Sequence, residues 1–257
     1  MASAASQAPT RLTAGLTTDA PWQPLAQYGL RNPFFYHEVE DDFDSSIASS
    51  IWTQTHTGNG SIAHAAGDGG TILFTTNSAA PATTDIAAIQ LPAAGFTIAA
   101  PKKLFFLARL QVSDVANAAF LAGLIQTTTT PFTVTDGIYF YKASGSASNL
   151  VLNYAVGGTI TSLTIPVAAY TLANNTYVDL AFTTDRLGNL YAYIGSQLVG
   201  FIPQSGSGTL TPPRGPAASV ATPTLTTATL NPTLAIQSGT ASSKTMTADF
   251  IMASKER

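Results

Sequence analysis

The chain has no cysteine. That excludes disulfides, thiol nucleophiles and thiolate metal sites, and it fits synthesis in a reducing compartment. Charge is scarce as well. Asp, Glu, Lys and Arg make up 10% of 257 residues, with a net charge of −3, against the ~25% usual for soluble domains. So few cations exclude a nucleic-acid groove, which binds through clustered Lys and Arg. No apolar run reaches the ~20 residues of a membrane span, and no membrane partner is expected. The first residues, Met-Ala-Ser-Ala-Ala-Ser-Gln-Ala-Pro, lack the basic and apolar regions of a secretory leader. The expectation is a protein made in the cytoplasm. Amphipathic helices and repeats of solenoid or propeller period are missing too.

What is present is short-period alternation, most legible over residues 176–202. Val178, Leu180 and Phe182 alternate with Tyr177, Asp179 and Ala181, the two-residue period of a half-buried strand. After the turn chemistry of Asp185-Arg186-Leu187-Gly188-Asn189, Leu190, Ala192 and Ile194 share one face and Tyr191 and Tyr193 the other. Gly195-Ser196 suits a two-residue type II′ hairpin, and a third strand runs to Pro203. Such a meander must bury its apolar face against a second sheet.

Similar segments, punctuated by Gly, Asn, Asp and Pro, occupy most of the rest. Strands are expected at 34–44, 51–57, 61–66, 71–76, 85–91, 102–113, 119–126, 138–142, 149–156, 159–165, 233–239 and 244–253. Leu104, Phe106, Ala108, Leu110 and Val112 share a face, and 119–126 is apolar on both faces, as an inner strand should be. In the last strand Met246, Ala248, Phe250 and Met252 fall on one side. The class is all-β, an antiparallel sandwich over 34–257.

Two stretches break the pattern. Residues 1–33 carry small residues, then Pro21, Pro24 and Pro33, with neither helical nor strand period, and read as an extended N-terminal arm. Its anchors are Trp22, Leu25 and Tyr28, packing either on its own domain or on a partner. Residues 203–232, rich in Pro, Ser, Thr and Gly, read as a long inserted loop of the kind that is functional or disordered.

The chemistry on offer is thin. Glu38, Glu40, Asp42 and Asp44 fall on one side of the first strand and Val39, Asp41 and Phe43 on the other. Paired carboxylates can hydrolyse glycosides, but the E-x-D-x-x-E spacing of sandwich glycosidases is not met, since position 43 is Phe and 45 is Ser. The alternative is a solvated edge that resists strand addition. His56 and His64 sit on neighbouring predicted strands and could meet across a hairpin; with His37 they are the only histidines, too few for a zinc site without a carboxylate ligand. No G-x-S-x-G elbow marks a nucleophile, and the glycine clusters lack the strand-to-helix setting of a phosphate loop. No catalytic residue, metal or cofactor is expected. Tyr139 and Tyr141, and Tyr191 and Tyr193, form aromatic rows that could stack on sugars or simply stabilise the sheets by cross-strand packing.

The meander at 176–202, with its D-x-x-G turn and G-x-x-x-V-G-x strand, resembles concanavalin A-like jelly-roll sandwiches. Three further segments resemble a group of tailed-bacteriophage virion proteins. They are Asp41-Asp42-Phe43-Asp44 with Trp52 and AHAAGDGGTILFTT at 63–76, VTDGIYFYK at 134–142, and IQSGTASSKTMTADFIMASKER at 236–257. That resemblance implies a non-enzymatic structural component of the particle, a head decoration (cement) protein on the virion surface. Its partners would be the major capsid protein and neighbouring copies of itself, as dimers or trimers, with Trp22, Leu25 and Tyr28 reaching across the shell. The rival expectation is a carbohydrate-binding module of a virion fibre or tail.

Overall fold

The computed structural model describes residues 36–44, 51–65, 70–77, 82–93, 95–98, 102–145, 149–185, 188–203 and 227–257. The described residues hold sixteen strands and no helix. The first eight-stranded sheet runs β14 (Gln197–Ile202), β13 (Leu190–Ile194), β12 (Val178–Thr184), β7 (Leu104–Val112), β16 (Thr245–Glu256), β4 (Thr71–Thr75) and β3 (Ser61–Ala65), with β1 (Tyr36–Asp41) also on β16. The second runs β11 (Thr159–Thr164), β10 (Leu150–Val156), β9 (Gly137–Lys142), β8 (Ala118–Ile125), β15 (Thr229–Ser238), β5 (Ile86–Gln90) and β2 (Thr53–His56), with β6 (Phe96–Thr97) also on β15. Every pairing is antiparallel.

The alternation read from the sequence decides which side chains meet between the layers. Leu104, Phe106, Ala108, Leu110 and Val112 of β7 and Val178, Leu180 and Phe182 of β12 enter one core with Phe120, Ala122 and Leu124 of β8 and Ile138 and Phe140 of β9. Phe182 is its centre, stacked on Phe106 at 5.1 Å and tilted against Phe140 of the facing sheet at 6.2 Å. The hairpins follow the turn chemistry. Gly195 has φ 60° while Ser196 does not enter the positive region, as a type II′ turn requires; Gly157 and Gly158 are both positive, at 55° and 83°, as type I′ requires.

Three expectations are corrected. The last strand does not keep one face. Its register shifts between Ala248 and Phe250, so Met246, Ala248, Ile251 and Ala253 face the inter-sheet core while Phe250 and Met252 turn to the outer face. One extra residue in a strand inverts the alternation beyond it. The loop expected over 203–232 ends sooner, because β15 begins at Thr229. Pro232 hid this start. It pairs with Leu124 of β8 on one side, while on the other the ladder to β6 stops at Leu230 and the ladder to β5 starts at Thr233. A residue without an N–H is tolerated at such a gap. His56 and His64 do not meet across a hairpin either: β2 pairs with β5 in the second sheet and β3 with β4 in the first.

One end of the sandwich is closed by polar groups. Thr76 and Ser238 share a buried hydroxyl–hydroxyl bond of 2.7 Å, and Lys244 binds Asp114 at 2.8 Å. That bond, with the bonds from Asn117, holds the Asp114 carboxyl down at about 2. Lys142, wholly buried, donates to the Ala143 carbonyl at 2.6 Å. Burial depresses its ammonium to about 8. Below that pH the charge is held in both folded and unfolded chains, at a cost to the fold. Between pH 8 and 10 the folded protein sheds the proton while the unfolded chain retains it, so stability should rise. Lys255, also lowered chiefly by burial, acts in the same direction. The buried tyrosines, such as Tyr193 raised to about 12, oppose it only above ~10. Urea unfolding at pH 7.5 and pH 9.5 should show a gain on the order of 1–2 kcal/mol, and Lys142→Met should remove most of it.

Candidate functional site

The acidic run of β1 separates into two roles. Val39 packs against the core, so Asp41 and Phe43 share its inward side. Asp41 accepts hydrogen bonds from the Phe43 backbone at 2.8 Å and from Trp52 Nε1 at 2.5 Å. Phe43, at φ 53°, and Trp52 are both buried, rings 6.4 Å apart. The Asp41-Asp42-Phe43-Asp44 word with Trp52 is thus a structural corner. Glu38 and Glu40 lie on the opposite side of β1, level with Ser254 and Met252.

The aromatic rows serve mainly packing. Tyr139 and Tyr193 are buried. Tyr139 belongs to an apolar patch on the outer face of the second sheet with Leu121, Ile125 and Ala235, to which the loop residues Phe132 and Val134 contribute. Tyr193 belongs to the matching patch on the first sheet. Half-buried Tyr141 and Tyr191 complete the rows. Tyr191 donates to an Asp185 oxygen at 3.1 Å and packs on Phe201 at 4.9 Å. Among the described residues these rows present no open tyrosine platform of the kind a sugar would need. The arm residues Trp22, Leu25 and Tyr28 lie outside the described residues.

The structure instead assembles charges that the sequence reading passed over. The interiors of β7, β12 and β16 each carry an isolated charge: Arg109, Asp179 and Asp249. Arg109 and Asp179 are cross-strand partners, and the bulge in β16 turns Asp249 toward the same guanidinium. Arg109 Nη1 lies 3.6 Å from Asp179 Oδ1, and Arg109 Nε 3.3 Å from Asp249 Oδ2. The Tyr177 ring stands 5.1 Å from the guanidinium carbon, within cation–π range. These side chains are partly open, at 28% for Arg109, 17% for Asp179 and 16% for Asp249. Burial raises the Asp179 carboxyl; Arg109 pulls it back down and Asp249 adds to the rise.

The Arg109–Asp179 pair, at 3.6 Å, is long for a hydrogen bond. Asp179 Oδ1 and Arg109 Nε are enclosed atoms with no hydrogen-bond partner, a costly condition unless a polar group arrives. Such a cluster offers carboxylate acceptors, a guanidinium donor and an aromatic face together. Among the described residues no group of three His, Cys, Asp or Glu could hold a metal. The sequence signal that could have found the cluster is a charge set among apolar residues in each of three central strands, Arg109, Asp179 and Asp249.

The fold is that of the concanavalin A-like jelly rolls of lectins and glucanases. The chain resembles the carbohydrate recognition domain of Emp47p at TM-score 0.54 and 10% identity, over 87% of this chain and 98% of that one. It resembles the Bacillus licheniformis β-glucanase at TM-score 0.55 and 12% identity, over 84% and 97%. An endo-1,3-β-glucanase from Streptomyces sioyaensis gives TM-score 0.54 and 13% identity, over 88% and 98%. No family model and no curated protein sequence matches the chain.

Proposed function

We propose that the protein is a carbohydrate-binding β-sandwich whose site is the Arg109–Asp179–Asp249 cluster under Tyr177. The observation that carries this reading is the gathering of three partly open side chains, Arg109 3.6 Å from Asp179 and 3.3 Å from Asp249, beside the Tyr177 ring. A sugar's adjacent hydroxyls donate to carboxylates and accept from a guanidinium, and its C–H face packs on tyrosine. The lectin domains and glucanases that share the fold support this class of ligand; fold alone does not choose among functions. Binding without turnover is the reading, because a guanidinium set between the two carboxylates neutralises the charge that a nucleophile or a general base would use. Glycan-array screening of the purified protein, followed by titration calorimetry, should identify an oligosaccharide ligand. A blank array would remove the proposal, and release of reducing sugar from the ligand would replace it with an enzyme.

The scarcity of charge, 10% of the chain, favours a second reading, that of a virion head decoration protein bound to capsid subunits and to copies of itself. Large neutral surfaces suit packed assemblies. Of the three sequence words behind this reading, those at 134–142 and 236–257 fall on β9 and on the β15–β16 segment, interior strands of the sheets where residues answer to packing, while the first falls on the Asp41–Trp52 corner and on β3 and β4, β3 being an edge strand. They speak for the fold more than for a capsid contact. Co-sedimentation with phage particles, scored against the glycan array, separates the two.

A further inference from the structure

β11 ends the second sheet, and its outward side is open. The Ile165 N–H donates to the Leu150 carbonyl at 2.9 Å. With the antiparallel register, this directs the backbone groups of Thr159, Thr161 and Leu163 to β10. Ile160, Ser162 and Thr164 alternate with them and turn their N–H and C=O away from the sheet. Among the described residues no backbone bond reaches these three from the outward side. Leu163 enters the core, so their side chains lie on the outer face, where all three are exposed, Ile160 at 48%. The other strands that end a sheet carry devices that discourage strand addition. β14 is bulged opposite Ala192 and Tyr193. β2 and β3 are four and five residues long and hold the exposed His56 and His64. β1, paired only with β16, carries Glu38 and Glu40. β11 has no ionisable side chain, no proline and no register shift. Its neutrality extends far along the chain: no Asp, Glu, Lys, Arg or His occurs between Lys142 and Asp179, a stretch that takes in β10, β11 and the exposed Val167.

We infer that β11 pairs antiparallel with β11 of a second copy of this chain, about a two-fold axis through Ser162, so that the second sheets of the two copies join into one. Three observations select this occupant. An edge without charge offers nothing to a charged partner, whereas a second neutral copy brings no repulsion. The register is self-consistent. With Ser162 opposite Ser162 of the other copy, Ile160 falls opposite Thr164 and Thr164 opposite Ile160, so residues of one face meet and each outward N–H and C=O finds a partner. Ile160 also stands beside Ala155 of the outer apolar patch, and the joined sheets carry that patch across the axis. Because the other sheet ends among the described strands are guarded, the two-fold pairing uses up the open edge and closes the assembly at a dimer. The proposal is independent of the carbohydrate reading, since Arg109, Asp179 and Asp249 belong to the first sheet.

The chain has no cysteine, so a single engineered thiol tests the register in the full-length protein. Ser162→Cys should form a disulfide-linked dimer under mild oxidation, because opposed residues of a hydrogen-bonded pair stand ~5.5 Å apart at Cα, inside the range of a disulfide. Ile160→Cys places its two thiols ~14 Å apart at ~3.4 Å per residue, and it should link at least ~10-fold more slowly. Sedimentation velocity of the parent at micromolar concentration should show a dimer. Ser162→Lys, which sets like charges directly opposite on the axis, should raise the dimer dissociation constant at least ~10-fold with the β-sheet circular dichroism unchanged. A monomeric parent would overturn the proposal, as would equal linking of the two cysteine variants or a dimer that Ser162→Lys leaves intact. Assemblies larger than a dimer would overturn the two-fold closure. Should the lysine variant unfold, the two cysteine variants decide.

Discussion

Phe182→Ala should lower the stability of the fold by about 3–5 kcal/mol, the largest loss expected of a single substitution here. Phe182 is fully buried at the point where the layers touch, stacked on Phe106 within its own sheet and tilted against Phe140 of the other. Truncation removes the ring's burial and both aromatic contacts, and it leaves a cavity walled by strands. Such a cavity cannot collapse readily, because Leu180 and the neighbouring β7 side chains are themselves fixed by antiparallel ladders. The measurement is the urea midpoint at constant slope. Phe182→Leu, which retains most of the volume, should lose roughly half as much. Equal effects of the two would mean that the rings do not bridge the layers.

Arg109→Ala should act on binding and on stability together, and the two effects separate by pH. Loss of the guanidinium removes the donor proposed for the glycan, so affinity should fall at least ~10-fold, the scale of one charge-assisted hydrogen bond. It also leaves Asp179 and Asp249 facing each other without their shared cation. Burial already raises the Asp179 carboxyl, and Arg109 is the group that lowers it, so the variant's carboxyl rises further. A carboxyl raised in the folded state costs stability above that raised pKa. The cost disappears as pH falls through it toward the unfolded value near 4. Relative to the parent, the variant should therefore be less stable by about 1–3 kcal/mol at pH 7 and recover on acidification toward pH 4. A deficit that stays constant with pH would show that packing of the arginine stem, and not its charge, holds the site.

The fold was legible where the period was clean. In β7, β12 and β13 every second residue is apolar, and those residues are the ones that meet between the layers. Legibility failed where the backbone departs from a plain ladder. The bulge at Asp249 reverses the facing of Phe250 and Met252, and nothing in the sequence around Met246 marks an extra residue. Pro232 read as a loop residue because a missing donor is harmless only at a gap between two neighbouring ladders, which is a fact of topology. His56 and His64, adjacent in sequence pattern, were parted because the chain changes sheet between β2 and β3. The candidate site was hidden for a related reason. Arg109, Asp179 and Asp249 lie far apart along the chain, and only the order β12-β7-β16 brings them side by side.

That strand order also shapes how the protein comes to exist. β15 inserts between β8 and β5, and β16 between β7 and β4, so the two strands made last lie in the interiors of the two sheets. Until they leave the ribosome, strands synthesised much earlier expose ladder edges with nothing to pair, and each sheet remains in halves. Pairing partners so distant in sequence make for slow closure and a lengthy window in which unpaired edges of separate nascent chains can find one another. The sparse charge leaves little repulsion to prevent it. Completion of both sheets therefore waits on β15 and β16, and conditions that shield nascent edges should favour the native sandwich over aggregates.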